Sequence, residues 1–85
     1  MKKIYLDYAA TTPVDLKVIE AMRPFWHKSF GNPNSLHLLG QEARKAVKKS
    51  RKITAGFINC QPEEIIFTSC ATEANNLALK GIVEA

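Results

Sequence analysis

The stretch that decides the fold is Ile65–Asn76, with the sequence IIFTSCATEANN. It opens with an apolar run, Ile65–Phe67, which predicts a short strand buried on both faces. From about Ala71 the apolar side chains recur at three- and four-residue steps, a pattern that predicts a helix. Between these two elements lies a tight corner of small and hydroxylated residues that includes Cys70. Any function of this stretch therefore depends on what the corner can bind.

The corner between the predicted strand and helix is a candidate anion site. The first amides of a helix have no partner inside the helix, and the helix dipole adds positive potential at that end. Ala71 and Thr72 are small enough to let a ligand approach the backbone, and the hydroxyl of Thr72 adds a donor. A second interpretation is that Ser69 or Thr72 caps the helix and pairs with its own backbone. The residues alone leave both interpretations open.

One strand and two helices are predicted before this corner. Ile4–Leu6 alternates as a minor strand. A first helix is predicted to begin after Thr12, which can cap it, and to kink or end near Pro24, because proline cannot donate the helix hydrogen bond. Ser35 can cap a long second helix over residues 36–58. The order of elements near the corner is therefore helix, helix, strand, helix.

This order predicts an α/β fold with an incomplete parallel sheet. A strand that is apolar on both faces needs a neighbour on each side, and parallel neighbours need further crossover units. The sequence offers only Ile4–Leu6 as a companion strand. We therefore expect these residues to form the opening of a larger α/β protein.

The composition is ordinary for a globular chain in water. The 85 residues are 46% hydrophobic and 24% charged, with a net charge of +4. No apolar run approaches the roughly 20 residues that cross a bilayer, and the amino-terminal stretch has no signal-peptide pattern, so we expect no membrane association and a cytoplasmic location. The two cysteines and two histidines lack metal-ligand spacing, so no metal site is predicted.

The positive charge is concentrated in the second predicted helix. Its basic residues are Arg44, Lys45, Lys48, Lys49, Arg51 and Lys52. Its apolar face, which we expect to be buried, consists of Leu39, Ala43, Ala46, Ser50, Ile53 and Phe57. We interpret the basic residues as solvated, and we do not predict nucleic-acid binding, because no aromatic residue lies among them to stack on a base. A small basic interaction protein without catalysis is the alternative of a different class.

Four segments in register resemble the amino-terminal part of the cysteine desulfurases of the NifS/IscS type, which belong to the class-V aminotransferase family. They are YLDYAATTP (5–13), FGNPNSLH (30–37), GQEAR (40–44) and PEEIIFTSCATEANNLALKG (62–81). The resemblance covers essentially the whole chain. It implies a type I pyridoxal-phosphate-dependent transferase fold and a homodimer. It also implies a small-domain segment at about 1–35 and the start of the large cofactor-binding domain at about 36–85.

The resemblance also implies a ligand for the corner. In this family the Ala-Thr pair after the strand holds the phosphate of pyridoxal 5'-phosphate, and that pair corresponds to Ala71 and Thr72. The loops 9–12 and 34–37 are secondary candidates, because they lie close to the active site in such enzymes. The family usually has glycine at the position of Cys70. We therefore expect the loop to be altered, or the phosphate to be held less well.

The implied activity is removal of sulfur from L-cysteine to give L-alanine and an enzyme-bound persulfide, for iron–sulfur cluster or tRNA thiolation pathways. A sulfur-acceptor or scaffold protein is the implied partner. No catalytic residue is assigned: Lys80 does not match the family's Schiff-base lysine, and no partner that would activate Cys70 is visible in the sequence. We therefore expect the 85 residues alone to be inactive. A selenocysteine lyase or an aminotransferase is the alternative within the family.

Overall fold

The computed structural model describes residues 2–85, and these form four α-helices and one 3₁₀ turn. The elements are α1 (Leu16–Met22), α2 (Pro24–His27), α3 (Leu38–Ile58), the 3₁₀ turn Pro62–Glu64 and α4 (Ala71–Glu84). The chain divides into two compact units, and the boundary between Ala46 and Val47 falls inside α3. The domain division expected at about residue 35 stays a prediction.

Neither predicted strand forms within residues 2–85. Ile65 is extended, with φ −93° and ψ 126°, so the conformation suits a strand but no partner strand is present. Ile66 and Phe67 are 68% and 49% exposed, whereas the sequence predicts burial on both faces. The prediction of strands at Ile4–Leu6 and Ile65–Phe67 is therefore wrong for this chain, and the parallel sheet is not confirmed.

Helix α1 begins later than predicted. Asp15 caps it in place of Thr12, and its carboxylate accepts a hydrogen bond from the Lys17 amide at 2.7 Å. A carboxylate at this position also meets the positive end of the helix dipole. Pro24 does interrupt the helix as predicted, and it then begins α2, where the missing proline amide has no role.

Helix α3 begins at Leu38, two residues later than predicted. His37 lies immediately before it. Its Nδ1 accepts the Gly40 amide at 3.4 Å, and its carbonyl accepts the Gln41 amide at 3.0 Å. The imidazole therefore takes the capping role predicted for Ser35, whose amide instead donates to the Asn32 carbonyl at 2.9 Å.

Two glycines let the loop before α3 contact the helix backbone. A Cβ on Gly40 would overlap the Ser35 carbonyl oxygen and lie 2.8 Å from the Asn32 carbonyl oxygen. A Cβ on Gly31 would overlap the Leu39 carbonyl. A larger side chain at either position would therefore push the loop away from α3.

The basic residues of α3 are not all solvated. Nη1 of Arg44 donates to the carbonyls of Pro33 and Ser35 at 3.1 and 3.3 Å. Nε of Arg51 donates to the Ile65 carbonyl at 3.3 Å. The four lysines of the cluster are exposed, as predicted. The interpretation of the cluster as a solvated face is therefore correct for the lysines and wrong for the arginines, which fix neighbouring loops.

The apolar face predicted for α3 is only partly covered. Among the apolar side chains of residues 2–85, Ala43 and Ala55 alone are buried, at 6% and 2% exposure. Ile53 and Phe57 remain 53% and 86% exposed, and Ile82 on α4 is 77% exposed. The large apolar side chains of both helices thus lack a covering element within the described residues. In the same residues, none of the helices combines the length and the apolar character that a bilayer crossing requires.

Candidate anion-binding site

The first amides of α4 lie at the corner that the sequence predicts as an anion site. The helix begins at Ala71, as predicted, with Cys70 at the capping position. The first hydrogen bond back to the corner is the one from the Ala74 amide to the Cys70 carbonyl, at 3.1 Å. Among residues 2–85, no oxygen accepts the amides of Ala71, Thr72 and Glu73. The amides of Thr72 and Glu73 instead interact with the sulfur of Cys70 at this helix end.

Neither Ser69 nor Thr72 caps the helix with its side chain. The Ser69 amide donates to Oε2 of Glu73 at 3.2 Å, and the Ser69 hydroxyl donates to the same oxygen. The Glu73 carboxylate thus reaches back from the first turn to the residue that precedes the capping position Cys70. The hydroxyl first, and then the amide of Ser69, lower the pKa of the Glu73 carboxyl. The capping interpretation of the corner is therefore wrong for both hydroxyl residues.

The side chain of Cys70 lies at the same helix end and is exposed. The Glu73 amide and the Ser69 hydroxyl, whose Oγ is 3.7 Å from Sγ, lower the pKa of this thiol. The amide and hydroxyl of Thr72 add to this effect, and desolvation opposes it. The sulfur thus interacts with the donors that a phosphate would use. This role of Cys70 differs from the prediction that nothing near the thiol activates it, and a cysteine at a helix amino terminus is the sequence pattern that indicates a lowered pKa.

The cysteine does not strain the backbone of the corner. Its φ of −166° and ψ of 171° are extended values, which every L-residue adopts without a steric penalty. Glycine is therefore not required by the backbone at this position, and the expectation of an altered loop or of a phosphate held less well stays a prediction. The side chain instead brings a sulfur into the site.

The donor set at the start of α4 fits a phosphate group. The amides of Ala71 and Thr72, the Thr72 hydroxyl and the helix dipole are the features that bind anions at helix termini. The Glu73 carboxylate, which would repel an anion, is held by Ser69. A neutral Cys70 thiol adds no negative charge, whereas its thiolate competes for the same donors. The fit therefore depends on the protonation of the thiol.

At neutral pH, Cys70 is expected to react with iodoacetamide several-fold faster than Cys60. The amides at the start of α4 lower the pKa of Cys70, whereas partial burial, and secondarily the Glu64 carboxylate, raise the pKa of Cys60. Because the thiolate is the reactive form, Cys70 reacts at lower pH. The measurement is the alkylation rate against pH in the single-cysteine variants Cys60→Ser and Cys70→Ser. Coincident or reversed midpoints would contradict the assignment.

The two secondary candidate loops lie in the unit that ends at Ala46. A turn brings the Ala10 amide to the Asp7 carbonyl at 3.0 Å. Beside it, the rings of Tyr5 and Tyr8 meet edge to face at 4.9 Å. A cavity of about 400 Å³ is lined by Tyr5, Tyr8, Thr11, Thr12 and Pro13. The expected position of loops 9–12 and 34–37 near the cofactor stays a prediction.

No group of acidic, histidine or cysteine side chains in residues 2–85 is arranged to hold a metal ion.

Comparison with known proteins gives the family. The class-V aminotransferase model matches residues 4–85. The cysteine desulfurase IscS of Dictyoglomus turgidum is 50% identical over 84 residues, which are 99% of this chain and 21% of that protein. A solved NifS-like protein superposes with a TM-score of 0.91 at 44% identity, over 98% of this chain and 23% of that one. A solved structure of SspA in complex with cysteine superposes with a TM-score of 0.85 at 46% identity, over 92% of this chain and 22% of the SspA chain.

The chain belongs to the class-V aminotransferase family, whose model covers almost all of its residues. It spans 21% of the length of the curated relative from Dictyoglomus turgidum. The resemblance inferred from the four sequence segments is thereby confirmed.

Proposed function

We propose that this chain is the amino-terminal, phosphate-binding portion of a pyridoxal-phosphate-dependent cysteine desulfurase. The family, the names of its relatives and the amides at the start of α4, which no oxygen within residues 2–85 accepts, all support this function. The related structure titled as a complex with cysteine supports L-cysteine as the substrate. The same names favour a desulfurase over a selenocysteine lyase or an aminotransferase.

The proposed role of the described site is to hold the cofactor by its phosphate. The amides of Ala71 and Thr72 and the Thr72 hydroxyl donate to the phosphate oxygens, and the dipole of α4 favours the dianion. When bound, the cofactor supplies an electron sink for the carbon chemistry of the amino acid. This chain's residues anchor and orient the cofactor.

The activity of the whole enzyme is part of the proposal. Sulfur from L-cysteine passes to an enzyme cysteine, L-alanine is released, and an acceptor or scaffold protein takes the persulfide sulfur for cluster assembly or tRNA thiolation. The proposed enzyme is a cytoplasmic homodimer, in which residues 1–35 belong to a small domain and residues 36–85 open the large one. Because no residue here matches the Schiff-base lysine, the 85 residues alone are expected to be inactive.

The observation that carries the proposal is the set of amides at the start of α4 that no oxygen within residues 2–85 accepts, and a binding assay tests it. Pyridoxine 5'-phosphate is the probe, since its alcohol cannot form adventitious Schiff bases with surface lysines. We expect it to bind, inorganic phosphate to displace it, and pyridoxine without the phosphate to bind much more weakly. Thr72→Ala should weaken binding of the probe roughly fivefold, because a donor to a charged group is lost at an exposed site.

Thr54→Ala is the matched control for this assay. Thr54 is a helical threonine whose hydroxyl donates to the Ser50 carbonyl at 2.9 Å, and it lies outside the proposed site. Its replacement should leave the affinity for pyridoxine 5'-phosphate unchanged. Equal affinity for pyridoxine and its phosphate, or an equal effect of the two threonine replacements, would refute the phosphate site.

A further inference from the structure

A basic groove lies in the unit formed by Val47–Ala85, and the proposed phosphate site does not use its residues. Its volume is about 510 Å³, and its lining residues are Lys48, Arg51, Lys52, Pro62, Glu63 and Ile65. The first three come from α3, and the other three come from the 3₁₀ turn and the extended segment after it. The groove therefore combines three cations with two apolar side chains and one carboxylate.

Arg51 is fixed in the wall of this groove. Its Nε donates to the Ile65 carbonyl at 3.3 Å, and its guanidinium carbon lies 5.2 Å from the centroid of the Phe67 ring. A guanidinium held by one hydrogen bond and an aromatic face keeps further N–H groups available for carboxylate oxygens. The groove thus has one ordered cation on which a ligand can be positioned.

The charge of the groove is not neutralised within the described residues. Lys48 and Lys52 are four residues apart on α3, and Arg51 lies between them, so like charges are neighbours on the helix surface and destabilise it. The one ion pair within residues 2–85 joins Arg23 to Glu20, outside the groove. A ligand that brings carboxylates would relieve this repulsion.

We propose that the basic groove is a docking surface for an acidic segment of a partner protein, with apolar side chains next to its carboxylates. The cations match the carboxylates, and Pro62 and Ile65 match the apolar side chains. Arg51 already covers a face of Phe67, the ring on which a base could stack. These features favour a polypeptide over a nucleic acid.

A short synthetic peptide in which glutamate and leucine alternate in pairs is the probe, labelled for fluorescence anisotropy and mixed with the full chain. We expect salt-sensitive binding, and loss of binding when glutamine replaces the glutamates. The double variant Lys48→Glu/Lys52→Glu should bind the peptide roughly fivefold more weakly. Lys2→Glu/Lys3→Glu makes the same change in net charge at two other exposed lysines and should have a much smaller effect.

Two further measurements keep the test decisive. Lys48→Gln/Lys52→Gln, checked for helix content by circular dichroism, replaces the first variant if charge reversal unfolds the chain. Thr72→Ala should leave peptide binding intact, so that failure of the phosphate site is distinguishable from failure of the groove. Equal weakening by the two lysine pairs, or tighter binding of a single-stranded RNA that competes for Lys48 and Lys52, would overturn the proposal.

Discussion

Replacing Gly40 by alanine is expected to lower the free energy of unfolding by about 2 kcal/mol, since a buried methyl group without space forces the backbone to shift. The new Cβ would overlap the Ser35 carbonyl oxygen and press on that of Asn32. The same loop is held by Arg44, whose Nη1 donates to the Ser35 carbonyl at 3.3 Å. Moving the loop would therefore also weaken this hydrogen bond. Urea unfolding followed by helical circular dichroism measures the change.

Gly56 provides the matched control on the same helix. It lies within α3, and a Cβ there would have no atom within 4 Å. Alanine at this position should stabilise the chain by about 0.5–1 kcal/mol, because glycine loses more backbone entropy in a helix. The two substitutions are chemically identical and should have opposite signs. A stabilising effect at Gly40 would show that the loop does not contact the helix as described.

Helices were predictable from this sequence to within a few residues, and strands were not. A helix satisfies its hydrogen bonds locally, so the start of α4 at Ala71 and the interruption at Pro24 follow from the residues themselves. A strand depends on a neighbour elsewhere in the chain. Ile65 accordingly keeps an extended conformation without a partner, and the apolar run after it stays exposed.

The residues that cap the helix starts were less predictable than the helices themselves. Thr12 and Ser35 have the side chains that favour a capping position, yet Asp15 and His37 take those positions in the structure. Several residues near each helix start are able to cap, and the path of the preceding loop decides among them. For α3 that path depends on the close approach at Gly40, which no local pattern encodes.

The candidate site was predictable in place and only partly in chemistry. The amides after the corner follow from any helix start, and the family resemblance adds the ligand. The contact of Cys70 with these amides depends on the direction of its side chain, which is set by the extended φ and ψ of the cap residue. The sequence contains the cysteine but not that direction.

Replacing Cys70 by glycine is expected to raise the affinity of the α4 site for sulfate roughly tenfold at alkaline pH. Sulfate is the probe because it stays a dianion across the range in which the thiol titrates. The amides of α4 lower the pKa of Cys70, so the thiolate forms below the ordinary range of a cysteine. A thiolate within a few ångströms of a dianion repels it and occupies its donors.

The sign of the pH dependence follows from this competition. Below the lowered pKa of Cys70 the thiol is neutral, and the native chain should bind sulfate nearly as well as the variant. As the pH rises through that pKa, the affinity of the native chain should fall, while that of Cys70→Gly should stay level. Displacement of pyridoxine 5'-phosphate by sulfate measures both curves.

Cys70→Ser separates the charge of the thiolate from the volume of the side chain. Serine keeps a Cβ and a polar atom at the cap but does not ionise in this range, so its sulfate affinity should also be independent of pH. If the serine variant retained the pH dependence of the native chain, another group would be responsible. If glycine and serine both bound sulfate no better than cysteine at alkaline pH, the thiolate would not share its donors with the anion. The phosphate site and the cysteine would then be separate features of this helix end.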